Sequence, residues 1–180
     1  MGKRILIVVD MQNDFIDGSL GTKEAVAIVP NVITKIHSYQ EDTVFATLDT
    51  HPDNYLDTAE GKKLPVPHCI KGTEGHRIAP AIAAALSQCS DFTSLEKPTF
   101  GSIDLMEHIR RIMETETVDS IELCGLCTDI CVVSNTLLLK ALSPETPILV
   151  DASCCAGVTP ATHQAALTTL SMCQIEILNH

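Results

Sequence analysis

The chain has 180 residues, is 45% hydrophobic and has a mean hydropathy of +0.19, which suits one domain spanning 1–180 with a sizeable core and excludes a disordered segment. With no Trp, two Tyr and four Phe, that core must be mostly Ile, Val, Leu and Ala, as a parallel sheet covered by helices prefers. The net charge of −11 argues against nucleic acid as a partner, because phosphate recognition needs clustered Lys and Arg.

The N-terminus reads MGKRILIVVDMQNDF. Its apolar run, Ile5–Val9, stops at Asp10 and is too short for a signal-peptide core or a membrane span. No later run reaches transmembrane length, so no membrane partner is expected and the default location is cytoplasmic. Eight cysteines without a signal are then expected as thiols or ligands, not as a disulfide framework.

Short β-type runs alternate with segments of helical spacing. Ile5–Asp10 is predicted as the first strand. A helix follows from about Lys23 to Tyr39, with Val29, Val32, Ile33 and Ile36 on one face. Thr43–Leu48 is a strand, and His51–Glu74 a long polar loop. A helix is predicted around Pro80–Gln88 and a short strand over Phe92–Leu95, leading into Lys97. Ser102 caps a helix through Met113. Val118–Leu123 is a strand, Asp129–Leu142 a helix and Pro147–Val150 a strand. Thr159 and Pro160 open a helix to about Met172, and Ile175–Leu178 is the last strand. Six strands alternating with helices predict a doubly wound, Rossmann-like α/β fold, with a mostly parallel sheet covered on both faces.

In such folds ligands bind beyond the carboxyl ends of the strands. Asp10 follows the first strand, Asp49 and His51 the second, Lys97 the third, and Cys127 and Cys131 the fourth. These groups converge on one edge of the sheet, and if the strand order is 3-2-1-4-5-6, Asp10 and the cysteine loop face each other across the switch point.

Three cysteines lie in ELCGLCTDICVVSNT, residues 122–136, spaced C-x2-C-x3-C. A metal or iron–sulfur site usually needs four ligands, and no second C-x2-C exists here. A redox pair would sit at a helix start, whereas Cys124 falls at the end of a strand run. Burial as small hydrophobes is the simplest reading for Cys124, Cys89, Cys154, Cys155 and Cys173, with the Cys154–Cys155 pair following the fifth strand. Cys131 differs. It falls in the first turn of a helix, where free N–H groups and the dipole lower a thiol pKa, and a nearby Lys would lower it further. A nucleophile and an inert buried thiol both remain open on these grounds.

The segments VDMQNDF (9–15), DTH (49–51), PHCIKGTEG (67–75), EKPTFGS (96–102) and GLCTDICV (125–132) resemble, in this order, the isochorismatase-like cysteine hydrolases. The resemblance covers nearly the whole chain, and the G-x-x-T-D-x-C-V element is its most specific part. It implies a catalytic triad of Asp10, Lys97 and Cys131. It also implies a cis peptide bond between Leu126 and Cys127, and an oxyanion hole made by the N–H groups of Cys127 and Cys131.

Within the family, Asp49, His51 and His68 resemble the metal ligands of the nicotinamidase branch, with Glu60, rather than Asp57, as a further candidate. The implied cofactor is a divalent metal, Zn²⁺ first, with Fe or Mn as alternatives. Phe15 is the implied ring-stacking residue. The resemblance implies a homo-oligomer and a small-molecule amide substrate, nicotinamide above others, cleaved to nicotinate and ammonia through a thioester. One departure is that Thr50 stands where nicotinamidases usually carry Trp. Two alternatives follow. One is a metal-free hydrolase of isochorismate-like or carbamoyl and ureido substrates; the other is a non-enzymatic thiol or metal-binding protein.

Overall fold

The structure, a computed structural model, describes residues 2–180. Six strands form one sheet: β1 (Lys3–Val9), β2 (Thr43–Asp49), β3 (Asp91–Lys97), β4 (Val118–Leu126), β5 (Ile148–Ala156) and β6 (Glu176–Leu178). Their order is β3-β2-β1-β4-β5-β6, and every neighbouring pair is parallel. The chain runs outward from β1 to β3 and then returns to β4, so β1 and β4 flank the point where the winding reverses. Ile5–Val9 of β1 are at most 1% exposed. A central strand covered on both faces has no polar side to show, which is why this run reads as continuous rather than alternating hydrophobicity.

The helices are α1 (Asn13–Ile16), α2 (Lys23–His37), α3 (Pro80–Leu86), α4 (Ile103–Thr115), α5 (Val133–Leu142) and α6 (Pro160–Met172). α2 packs against α1 and α3, and α5 packs between α4 and α6. Helix starts follow capping chemistry: the hydroxyls of Thr22 and Ser102 accept from Ala25 N and Leu105 N, and Thr159 with Thr162 forms a capping box. The buried stripe of α2 is Ala25, Ile28, Val32 and Ile36, and Val29 and Ile33 flank it half-buried, one step round from the predicted face.

Several strands run past their predicted ends. Asp49 and Lys97, expected just beyond β2 and β3, are the last paired residues of those strands and face each other in register. β5 continues through Asp151 and Ser153 to Ala156, so Cys154 and Cys155 lie inside it rather than after it. The polar break ends the apolar run but not the strand, because Lys35 of α2, Ser153 and Asn179 all reach the Asp151 carboxylate. Lys35 also meets Glu122 of β4, whose other oxygen accepts from the Tyr39 hydroxyl at 2.7 Å.

β4 likewise continues to Leu126 through Gly125, at φ +115°, where a Cβ would stand 2.2 Å from the Val9 carbonyl oxygen. Only glycine lets β1 and β4 approach this closely in that conformation. Cys124, Cys154 and Cys155 are buried, as expected, and Cys89 and Cys173 are half-buried. Among the described residues, no helix is long and apolar enough to cross a membrane.

Candidate active site

Asp10, Asp49, Lys97 and Cys131 are brought to the carboxyl edge of the sheet by β1, β2, β3 and the turn after β4. The Leu126–Cys127 peptide is cis, as the resemblance implies. A π-helical turn, Thr128–Val132, then leads into α5. Cys131 therefore sits in a widened turn rather than in the first turn of an ordinary α-helix. The Cys127 carbonyl accepts from the N–H groups of Ile130 and Val132, 3.1 Å each, and passes over that of Cys131.

Lys97 is 1% exposed and lies between three partners. Its Nζ is 2.7 Å from Asp10 Oδ2, 3.4 Å from Asp49 Oδ1 and 3.4 Å from Cys131 Sγ. Burial disfavours the ammonium, but the charges of Asp10 and Asp49 and the hydrogen bond to Asp10 more than offset this and raise its pKa. Asp10 is fully buried at φ +47°, a left-handed conformation rare for a residue with a Cβ. Its Oδ1 accepts from the Thr47 hydroxyl at 2.6 Å, and its Oδ2 has no partner beyond the Lys97 ion pair. Burial pushes the Asp10 carboxyl up, with the Lys97 charge pulling the other way.

The expected lowering of the Cys131 thiol pKa is not what this arrangement does. Burial, together with the neighbouring Asp10 and Asp49 charges, pushes the thiol well above its ordinary value, and Lys97 opposes only in part. Burial thus favours the uncharged form of the Cys131 sulfur. Cys127 is also held as a thiol, pushed up to about 12 by burial and by the Asp129 charge. Cys124 is fully buried, and burial pushes its thiol well above its ordinary value, which fits a packing role.

Next to Asp10, Lys97 and Cys131, one ligand atom each from Asp49, His51 and His68 falls within 4.8 Å of the others. The Nδ1 of His68 lies 2.8 Å from the Val66 carbonyl, which leaves Nε2 free to face the cluster. The Nε2 of His51 is buried 2.9 Å from Asp49 Oδ2, at an angle that makes no good hydrogen bond. Burial pushes the His68 imidazole down, yet the Asp49 carboxylate more than compensates and raises it. Burial likewise works against the Asp49 anion, while His51, His68 and Lys97 hold its carboxyl well below the usual range. A buried anion flanked by imidazole nitrogens, one of them orphaned, suits a divalent cation of the zinc type. Of the two loop carboxylates weighed, Glu60 is the one beside this cluster, its Oε1 3.8 Å from His51 Nε2 and 3.7 Å from His68 Nε2.

The polar loop after β2 is more ordered than its composition indicates. Tyr55, in a 3₁₀ turn (Tyr55–Asp57), is 1% exposed and donates to the Leu64 carbonyl at 2.9 Å. Its ring meets His51 and His68 edge-on, at centroid distances of 4.7 and 5.0 Å. Gln12 clasps β2: its Nε2 donates to the Asp49 carbonyl at 2.9 Å, and its Oε1 accepts from Asp49 N at 2.8 Å. Asp14 accepts from Cys69 N at 2.8 Å and so ties the His68 loop to α1. Asn135 donates to the Cys131 carbonyl at 2.8 Å and anchors the reactive turn to Phe100 and Ser102. Gln12 and Asp14 lie inside the motif VDMQNDF and were detectable there. Thr47, Tyr55 and Asn135 carry no such signal.

One cavity of about 620 Å³ connects these groups, with Asp49, His68 and Cys131 in its wall. Phe15 also lines it, 5.5 Å from the His68 ring and tilted by 57°.

Comparison with known proteins gives the same placement. Residues 4–180 match the isochorismatase domain family. The chain is 25% identical over 186 residues to a nicotinamidase/pyrazinamidase of Mycobacterium tuberculosis, spanning 97% of this chain and 98% of that one. The solved pyrazinamidase/nicotinamidase of Streptococcus mutans is 29% identical with a TM-score of 0.80, over 98% of this chain and 100% of the other. The pyrazinamidase of Pyrococcus horikoshii, solved in complex with zinc, is 25% identical with a TM-score of 0.77 over 99% of both chains. The chain belongs to the isochorismatase family, on the branch that resembles nicotinamidases.

Proposed function

We propose that this chain is a cysteine-dependent amidohydrolase that cleaves nicotinamide, or a close heteroaromatic relative, to the acid and ammonia. The observation that carries this reading is Lys97. Its buried ammonium touches both Asp10 and Cys131, next to the Asp49, His51 and His68 cluster. The relatives named nicotinamidase or pyrazinamidase support the same choice of substrate.

In this mechanism Asp10 takes the Sγ proton of Cys131 as the sulfur attacks the amide carbon. Proton transfer and attack go together because the thiol is otherwise neutral. A C–S bond forms and the carbonyl electron pair moves onto oxygen, where the N–H groups of Cys127 and Cys131 hold it. The intermediate collapses, the C–N bond breaks, and Asp10 returns the proton to the leaving nitrogen as ammonia departs. Water, deprotonated by Asp10, then adds to the thioester. The C–S bond breaks, the acid leaves and the thiol is restored. Lys97 keeps Asp10 ionised between these transfers. Asp49, His51 and His68, with Glu60 beside them, would hold a zinc ion, and that ion would supply a Lewis acid for orienting the substrate. Phe15 packs against the ring.

The test is ammonia release from nicotinamide and pyrazinamide by the purified protein supplied with zinc. Turnover is expected with the intact chain and none with Cys131→Ala. Normal rates in Cys131→Ala would remove the nucleophile assignment. No ammonia from either amide would overturn the function.

A further inference from the structure

We propose that the amide this site takes carries an apolar substituent or a fused second ring, beyond a bare pyridine carboxamide. The inference rests on the amidohydrolase reading above and refines its substrate class. At about 620 Å³ the cavity falls within the range of about 300–1,000 Å³ that holds drug-sized ligands, and a single pyridine ring with its amide fills only a minor part. Cys131 and the metal-site residues Asp49 and His68 account for one portion of the wall. Leu20, Leu64, Phe100, Ile130 and Val158 furnish another that a bare ring does not need.

Three of these are large hydrophobic side chains left exposed: Leu64 at 38%, Phe100 at 45% and Val158 at 51%. They come from the loop after β2, the segment between β3 and α4, and the turn between β5 and α6. Single exposed hydrophobes are ordinary, but three from distant segments that line one cavity form an apolar surface in need of an occupant. That cavity also holds Cys131, so the occupant is the substrate itself. Each methylene buried there is worth about fourfold in affinity.

The experiment compares kcat/KM of the zinc-supplied protein for nicotinamide with that for propyl-substituted nicotinamides, one for each open ring position, a quinoline carboxamide and a carboxylate-substituted nicotinamide. The best apolar member should exceed nicotinamide by about tenfold or more, since a propyl group buries at least two methylenes' worth of surface. Phe100→Ser with Val158→Ser, and separately Leu64→Ser, should shrink that ratio. Dissociation constants for Cys131→Ala should follow the same order without turnover.

If nicotinamide is hydrolysed and no apolar member gains, the inference is overturned and the amidohydrolase reading stands. A preference for the carboxylate, through the exposed Lys63, overturns it too. So does a Phe100→Ser, Val158→Ser protein that changes from dimer to monomer in sedimentation with its substrate ratio intact, because the patch is then an interface between copies. Preferential binding of the apolar amides with no turnover by the intact chain overturns the amidohydrolase reading and leaves the pocket assignment.

Discussion

Replacing Lys97 by Met keeps an apolar stem in a position that is 1% exposed and removes its charge. In the intact protein Nζ lies 2.7 Å from Asp10 and 3.4 Å from Asp49. At an effective dielectric of about 20, these separations correspond to about 6 and about 5 kcal/mol of attraction, much of it offset by the desolvation of three charges. The variant loses the attraction and keeps the desolvation of Asp10. Breaking a buried pair in this way costs about 3–5 kcal/mol near neutral pH.

Burial already raises the Asp10 pKa against the pull of Lys97, so removing Lys97 raises it further. A carboxyl whose folded pKa exceeds its unfolded value binds the extra proton in the folded state. Stability is therefore lost as pH rises from the unfolded value, about 3.9, through the folded one. The deficit of Lys97→Met should accordingly shrink on acidification, by up to about 1.4 kcal/mol per pH unit. Urea denaturation of both proteins at about pH 5 and about pH 8 measures this difference, and ammonia release near neutrality should fall by about 100-fold or more. A deficit that does not change with pH, or near-normal turnover, would show that Lys97 does not hold Asp10 ionised.

Three further outcomes are expected. Gly125→Ala places a Cβ 2.2 Å from the Val9 carbonyl at φ +115°, and should cost about 3 kcal/mol or more in urea denaturation; a loss under about 1 kcal/mol would contradict the close approach of β1 and β4. Cys124→Ala removes a sulfur from the core but none from the site. It should lower stability by about 1 kcal/mol and leave ammonia release within about twofold, and inactivation would return Cys124 to the chemistry. Gln12→Ala unclasps Asp49 without removing a ligand atom, so zinc affinity measured by chelator competition should weaken by about 10–100-fold, and unchanged affinity would contradict a positioning role.

Most of the architecture was legible because a doubly wound sheet writes its central strands as unbroken apolar runs. Ile5–Val9 is the clearest case. Strand ends were less legible. Asp151 looks like a terminus in the sequence and is a mid-strand residue in the fold, because Lys35 arrives from a helix more than a hundred residues earlier in the chain. The widened turn at Thr128–Val132 looks in sequence like a plain helix start, since a π-helical turn has no compositional mark. The thiol pKa was misjudged for a related reason. Sequence places Cys131 at a helix start, where a nearby Lys would lower its pKa further, but the depth of burial is a tertiary property, and here it outweighs the lysine.

By itself the sequence determined the order of strands and helices, and which candidate site residues stand at the strand ends. Hydrophobic period and capping chemistry are local and survive in one dimension. Resemblance in five short segments then carried Asp10, Lys97 and Cys131 together. Tertiary structure alone decided that Lys97 meets both partners at once, that Tyr55 packs against the histidines, and that the chamber beside Cys131 has an apolar wall. Those facts depend on distances between segments far apart in the chain. Charge stabilisation, desolvation and cavity shape all vary with such distances, and none of them has a signature in residue order.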